Sequence, residues 1–295
     1  MTPQDFAYLA SLIHNRSGIV LPAEKAYLLE NRLRPLSGEF SFGSMADLVS
    51  ALKLNRDERL ARRVVEVMTT NETLFFRDTK PFDLLRDVVL PQLIEARAKG
   101  RPLRIWSAAC SAGQEPYSIA MTIKENAARF GAWPIEILAT DLSSTVLAKA
   151  RSGIYSQFEV QRGLPIRLLV RYFTQNEAQW TIHPEIRTMV QFRQHNILED
   201  VSSLGQFDVV FCRNVLIYFD GETKKQVLER IAHSLAPNGA LFLGGTETVI
   251  GITDRFEPIP GQRGIYRATE ADPCLVRDRP SSIKAPSVNG RHRAA

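Results

Sequence analysis

Five short apolar runs dominate the sequence after Thr79: "PLRIWSAA", "PIEILATD", "TMVQFRQHNI", "FDVVFCRN" and "GALFLGG". Each is separated from the next by stretches of helical character. A strand with one wet face alternates apolar and polar residues, and these runs do not. Continuous Val, Ile, Leu and Phe runs between helices require strands buried on both faces, hence a mostly parallel α/β sheet covered by helices. The last apolar segment, "FEPIPGQRGIYRA", reads as a hairpin around Pro260-Gly261.

The first seventy residues follow another rule. Phe6, Leu9 and Ile13 mark one helical face, and Gly18 is placed to stop that helix. Leu28, Leu29, Leu33 and Leu36 stripe a second helix, with Lys25, Arg32 and Arg34 as its cations. Ser44 with Asp47 offers a capping box for a third. Leu60, Val64, Val67 and Met68 stripe a fourth, whose other face carries Arg56, Arg59, Arg62 and Arg63 beside acids. Thr79 is placed to cap a further helix that Pro91 kinks or ends. An insert, 153–187, holds one helix ("PIRLLVRYF") and a small hairpin expected near Trp180–Ile182 and Ile186–Thr188. The expected units are a helical domain 1–70, a linker 71–79, an α/β domain 80–270 containing the insert, and a disordered tail 271–295. In that tail five Lys/Arg face two acids among Pro, Ser and Arg.

A net charge of +5 therefore comes partly from the tail and does not argue for nucleic acid. Three cysteines, Cys110, Cys212 and Cys274, form no metal-ligand spacing and fit a reduced, cytoplasmic protein. No apolar run approaches the roughly 20 residues that span a bilayer.

In an open parallel sheet, ligands sit beyond the carboxyl ends of the strands. After the first strand comes "SAACSAGQEPY", a small-residue loop opening a helix. It is neither a GxGxxG fingerprint nor a P-loop, which argues against NAD and ATP. Asp141 follows the second strand, as a ribose-diol acceptor or as a helix N-cap. Asn196 follows the third, as an adenine reader or a turn residue. Arg213 and Asn214 end the fourth, with Tyr218 close behind. An unpaired buried cation costs several kcal/mol, so Arg213 meets either a ligand or an acid elsewhere in the chain. An acid for ribose without a diphosphate cradle points to a nucleoside ligand such as S-adenosylmethionine.

The strings "TTNETLFFRD", "WSAACSAGQEPYSIAM", "LATDLS", "FDVVFCRNVLIYF" and "LFLGGTE" resemble the chemotaxis receptor methyltransferase (CheR) family up to about Ala268. The resemblance implies a class I S-adenosylmethionine-dependent methyltransferase: a Rossmann-like, mostly parallel seven-stranded sheet with an all-helical N-terminal domain and a small β insert. It implies methylation of glutamates on acidic helical coiled coils of methyl-accepting chemotaxis receptors, with S-adenosylhomocysteine as product. Asn71, Thr73, Arg77, Glu115, Asp141, Asn196, Ile197, Arg213 and Asn214 are then the cofactor contacts, with Arg77 and Tyr218 beside the reacting methyl. Lys25, Arg32 and Arg34 lie on the helix expected to dock the receptor. Some family members bind a receptor's C-terminal peptide through a glycine-rich hairpin in the insert. Here "RYFTQNEAQWTIHPEIR" has no glycine, so independence from such a tether is expected. The chain is expected to act as a monomer, without membrane insertion or nucleic acid. The rivals are other methyltransferase chemistries and a cofactor-binding scaffold without catalysis. "RNVLIYF" lacks the Pro-Pro-aromatic string of nucleic-acid amino methyltransferases, and the only Pro-Cys pair is Pro273-Cys274.

Overall fold

The computed structural model describes residues 1–54, 57–96, 101–131 and 133–269. Arg56, Cys274 and the segment 271–295 lie outside these residues. Four helices make the N-terminal unit: α1 (Pro3–Ser17), α2 (Ala26–Glu39), α3 (Met45–Lys53) and α4 (Glu58–Met68). Local chemistry sets their ends. Thr2 accepts the Asp5 N–H at the start of α1, and Gly18, at φ 74, closes it on the His14 carbonyl. Ser44 and Asp57 cap α3 and α4 in the same way. Leu9, Ile13, Leu29, Leu33, Leu48 and Val64 meet as a core fully shut from solvent. Each such side chain contributes roughly 1.5–3 kcal/mol, which holds the bundle without long helices.

Beyond the linker, α5 (Lys80–Leu84) runs through one π-turn, Leu85–Val89, into α6 (Leu90–Ala96). Of the two outcomes read from the sequence, a kink or an end at Pro91, the helix does not end there. The wider π-turn directly before it relieves the clash that proline makes with the preceding turn. Thr79 stands at the start of α5 with φ 46 and makes no side-chain cap.

The α/β unit then runs β1 (Leu103–Ala108), α7 (Gln114–Glu125), α8 (Ala127–Phe130), β2 (Ile135–Asp141) and α9 (Ser144–Ser152). The insert follows as β3 (Ile154–Ser156), α10 (Gln157–Gln161), α11 (Ile166–Tyr172), β4 (Phe173–Asn176), β5 (Gln179–Ile182) and α12 (Pro184–Arg187). The chain closes with β6 (Val190–Gln194), β7 (Phe207–Cys212), α13 (Gly221–Ser234), β8 (Leu235–Leu243), β9 (Phe256–Pro258) and β10 (Ile265–Ala268). Seven strands form one sheet in the order β6-β2-β1-β7-β8-β10-β9. The first five are parallel, while β10 runs antiparallel to β8 and to β9. In β7, Val209 and Phe211 face one core and Phe207, Val210 and Cys212 the other. Burial on both faces is why this strand reads as an unbroken apolar run.

The insert departs from expectation. Its hairpin pairs β4 with β5, and β5 also pairs with β3. The Ile186–Thr188 stretch is not a strand, because Pro184 starts the helical turn α12 there. Nor does the β4–β5 turn need glycine. Glu177 itself takes the left-handed conformation at φ 53, so the absence of glycine does not prevent a tight hairpin.

Candidate cofactor and methyl-transfer site

A single cleft runs along the carboxyl ends of β1, β2, β6 and β7, walled by the linker and by the end of α1. Asn71, Thr73, Arg77, Glu115, Asp141, Asn196, Ile197, Arg213, Asn214 and Tyr218 all line it. These positions span nearly 150 residues of sequence, and the sheet brings them to one edge. Lys25, Arg32 and Arg34 are not part of it.

The linker is pinned by its two phenylalanines. Phe75 is fully buried, with its ring edge-on to Tyr155 at 5.0 Å and to Phe173 at 5.7 Å. Phe76 packs on Phe82, and its N–H donates to the Ser118 hydroxyl at 2.9 Å. Gly163 comes so close that an added Cβ would lie 2.0 Å from the Phe75 carbonyl oxygen. The insert thus clamps the linker from outside while α7 holds it from within.

The loop after β1 carries Ala109 at φ 55, Ser111 at φ 52 and Gly113 at φ 91. Phe76, Asp78, Thr79 and Asn214 are also left-handed. Strained backbone clustered around one cleft is characteristic of functional sites. The loop's curl aims the Ser111 N–H at Asp141 Oδ2, 2.8 Å away, while the Ser143 N–H reaches Oδ1 at 2.9 Å. The N-cap of α9 is Ser143, so Asp141 is free of that role. Burial pushes its carboxyl upward, and the amides of Ser143 and Ser111 oppose the shift. The Leu142 amide opposes it as well, and a carboxylate has about four lone-pair sites, so the carboxylate keeps acceptor capacity for a hydroxyl.

Arg213 meets acids within the chain. Its side chain is 1% exposed, with Nη2 2.6 Å from Asp78 and Nη1 3.0 Å from Glu115. Glu115 also accepts the Ser107 hydroxyl at 2.8 Å; burial pushes its carboxyl upward and Arg213 counters. Asn196 is likewise committed. Its Nδ2 donates to the Arg16 carbonyl at 2.7 Å, and its Oδ1 accepts the Leu198 N–H. Here it ties the third strand's end to α1. His195 beside it is buried, its Nε2 without a partner among the described residues, and burial lowers its pKa.

The helical domain closes the cleft. Ser17 and Ile19 line it, and the Val20 N–H donates to the Tyr218 carbonyl at 3.0 Å. Glu66 of α4 accepts both the N–H and the hydroxyl of Ser144 at 2.8 Å, at the start of α9. Arg32 points inward, donating to the Met68 and Thr69 carbonyls at 2.7 and 3.1 Å. Lys25 and Arg34 are exposed. On α4, Arg62 and Arg63 pair with Glu58, Glu39 and Glu66, which favours a salt-bridged face. Cys110 and Cys212 are buried free thiols pushed up by burial, as befits packing rather than nucleophilic residues.

Residues 71–265 match the model of the CheR methyltransferase SAM-binding domain, and residues 4–69 that of the CheR methyltransferase all-alpha domain. The chain belongs to the CheR methyltransferase family. It is 44% identical over 270 residues to chemotaxis protein methyltransferase 1 of Pseudomonas aeruginosa, covering 90% of this chain and 97% of that one. It is 42% identical over 272 residues to chemotaxis protein methyltransferase Cher2 of Pseudomonas putida, covering 90% and 98%. A CheR-family chain with this fold is a class I methyltransferase of chemotaxis, with S-adenosylmethionine as its cofactor. The cleft fits that cofactor: a carboxylate with acceptor capacity to spare follows β2, a small-residue loop follows β1, and the described lining residues form no diphosphate cradle.

Two contributors escaped the sequence reading. Asp78 was seen only as part of the linker, yet it holds Arg213. Glu247, in the string "LGGTE" at the end of β8, accepts backbone N–H groups of the loop that carries Asn214. A Gly-Gly pair followed by an acid beyond a buried strand was the available signal.

Proposed function

We propose that the protein transfers the methyl group of S-adenosylmethionine to glutamate side chains on helices of chemoreceptors, forming methyl esters. One observation carries the acceptor class. Arg77 and Tyr218 line the same cleft from different segments, and among the described residues the Arg77 guanidinium is held only by a long bond to the Glu72 carbonyl. The Arg77 guanidinium makes one 3.3 Å bond to the Glu72 carbonyl, while both terminal nitrogens of Arg213 and the Asn196 amide nitrogen are engaged at 2.6–3.0 Å. A planar fork beside a phenol is a receptor for a carboxylate.

The cofactor supplies an activated methyl on a sulfonium. The acceptor glutamate, with a pKa near 4.3, is ionised at neutral pH and needs no general base. The protein's task is therefore alignment and partial desolvation. Asp141 holds the ribose hydroxyls, Arg77 orients the carboxylate, and Tyr218 completes its hydrogen bonding. Asn71, Thr73, Glu115, Ile197, Arg213 and Asn214 form the walls that fix the cofactor between them. Exposed Lys25 and Arg34 attract the acidic receptor helix, and Arg32 supports that surface from beneath by holding the end of α4. The protein works as a monomer in the cytoplasm.

The test is methyl-labelled S-adenosylmethionine with chemoreceptor membranes, using full-length receptors and receptors lacking their C-terminal segment. The expected result is label on the receptor that alkali releases as methanol, absent when the acceptor glutamates are replaced. Alkali-stable label contradicts esterification, and no label at all favours a cofactor-binding scaffold. Because the insert hairpin turns tightly without glycine, the truncated receptor decides whether a tether matters.

A further inference from the structure

Glu247 is 8% exposed and its carboxylate faces four backbone donors. Oε2 accepts the N–H groups of Asn214 at 2.8 Å and Gly244 at 2.7 Å. Oε1 accepts those of Val215 at 3.0 Å and Ile217 at 3.3 Å. Three of these amides lie in the segment where the chain leaves β7 and turns through Leu216–Tyr218, with Asn214 held at φ 59, and the fourth, that of Gly244, directly follows β8. The bonds to these amides are buried or partly buried, and a buried amide left unpaired costs about 1–3 kcal/mol. A single carboxylate does what a strand partner does elsewhere. The segment it gathers carries Arg213, Asn214 and Tyr218, three of the cleft's lining residues.

Gly244 shows how closely the parts fit. A Cβ there would lie 2.7 Å from Glu247 Oε2 and 2.8 Å from Asn214 Nδ2. The glycine lets the carboxylate and the turn approach one another.

We propose that Glu247 is a positioning residue of methyl transfer, setting Tyr218 and Asn214 against the reacting centre by binding the backbone of their loop. A glutamine is the same size but cannot replace it. Its amide nitrogen would face two N–H donors, so half of the clamp becomes repulsive. The proposal rests on the glutamate-methylation reading only for its kinetic part.

Three readouts on Glu247→Gln test it: receptor methylation kinetics, S-adenosylhomocysteine affinity, and amide hydrogen exchange. The expected kcat falls by about tenfold or more, the scale of lost hydrogen bonds to a charged group. Cofactor affinity falls by a smaller factor than kcat, because Asn214 is the one cofactor wall bound directly by Glu247 while the ribose acceptor Asp141 lies on the end of β2. Exchange speeds up at Asn214, Val215, Ile217 and Gly244 while β1 and β2 stay protected. Gly244→Ala should give the same signature by separating the same atoms, and the double variant should be no worse than the poorer single one.

Wild-type turnover, or unchanged exchange in the loop, overturns the proposal. So does a loss of cofactor affinity equal to the loss of kcat with exchange quickened across the whole sheet, since that marks a purely structural carboxylate. If Glu247→Gln does not fold, Gly244→Ala carries the test; failure of both to fold also overturns it. If the wild-type protein leaves receptors unmethylated, the esterification reading fails, and loop exchange still decides whether Glu247 sets the turn.

Discussion

Arg213 Nη2 lies 2.6 Å from Asp78 Oδ2, joining the strand that ends at Cys212 to the linker that precedes α5. The same guanidinium reaches the Arg77 carbonyl at 3.0 Å and Glu115 at 3.0 Å. A residue expected at the cofactor is therefore also the bolt that holds the linker against the sheet.

The two partners of this pair should differ in consequence. Asp78 is half exposed, so Asp78→Ala should cost about 1 kcal/mol of stability after solvent screening. Arg213→Ala strips the buried Glu115 of its cation and should cost about 3–5 kcal/mol. Chemical denaturation of both variants, read alongside cofactor affinity, checks the order. Equal costs would mean that the linker, not Glu115, dominates the network.

Arg77 and Tyr218 should separate catalysis from binding. Arg77→Ala removes a charge-assisted fork worth about 1.5–3 kcal/mol, so kcat should fall roughly tenfold to a hundredfold. Tyr218→Phe should lower kcat with little change in cofactor affinity. Full turnover with weakened cofactor binding would assign the Tyr218 hydroxyl to the cofactor instead.

The docking cations should not behave alike. Reversing Lys25 and Arg34 should raise KM for the receptor and flatten its salt dependence. Arg32→Ala should instead loosen the end of α4, raising protease cleavage in the linker, because its guanidinium holds the Met68 and Thr69 carbonyls. A salt response unchanged by the reversal removes this surface from docking.

These differences mark what residue order reveals and what it hides. Strand positions were legible because two-sided burial leaves no polar alternation, and β7 is buried throughout. Phe75 was legible as an anchor, though its seat on Tyr155 and Phe173 of the insert was not. The insert hairpin uses a different second strand because Pro184 starts a helical turn where a strand was expected, and Glu177 takes the left-handed conformation that composition assigns to glycine. Arg32 was read as a docking cation and Asn196 as an adenine reader or a turn residue; each finds a backbone carbonyl far away in the chain, and Asn196 also accepts the Leu198 N–H two residues on, as a turn residue does. Glu247 was hidden for the same reason: its partners are amides, whose directions appear only when the chain folds.

Acid should weaken one contact between the domains. Asp220 caps α13 by accepting the Thr223 N–H at 2.8 Å and meets His14 Nε2 of α1 at 2.6 Å. The Thr223 amide first, and His14 next, depress its pKa to about 2. A carboxylate depressed in the fold adds stability above its ordinary value near 3.8 and loses it as pH falls towards 2. Asp220→Ala should cost about 1 kcal/mol at neutral pH, as lost caps do, and its difference from wild type should vanish over that acid window. A difference that persists at pH 2 would place the effect in packing.

The most direct measurement is a calorimetric titration of the protein and of Asp141→Ala with S-adenosylhomocysteine. The account predicts one site per chain in the wild type and loss of binding in the variant, since Asp141 is the carboxylate with acceptor capacity to spare at the end of β2. Undiminished binding by Asp141→Ala would contradict the assignment of this cleft's ribose contact, and no binding by the wild type would contradict the cleft as the cofactor site.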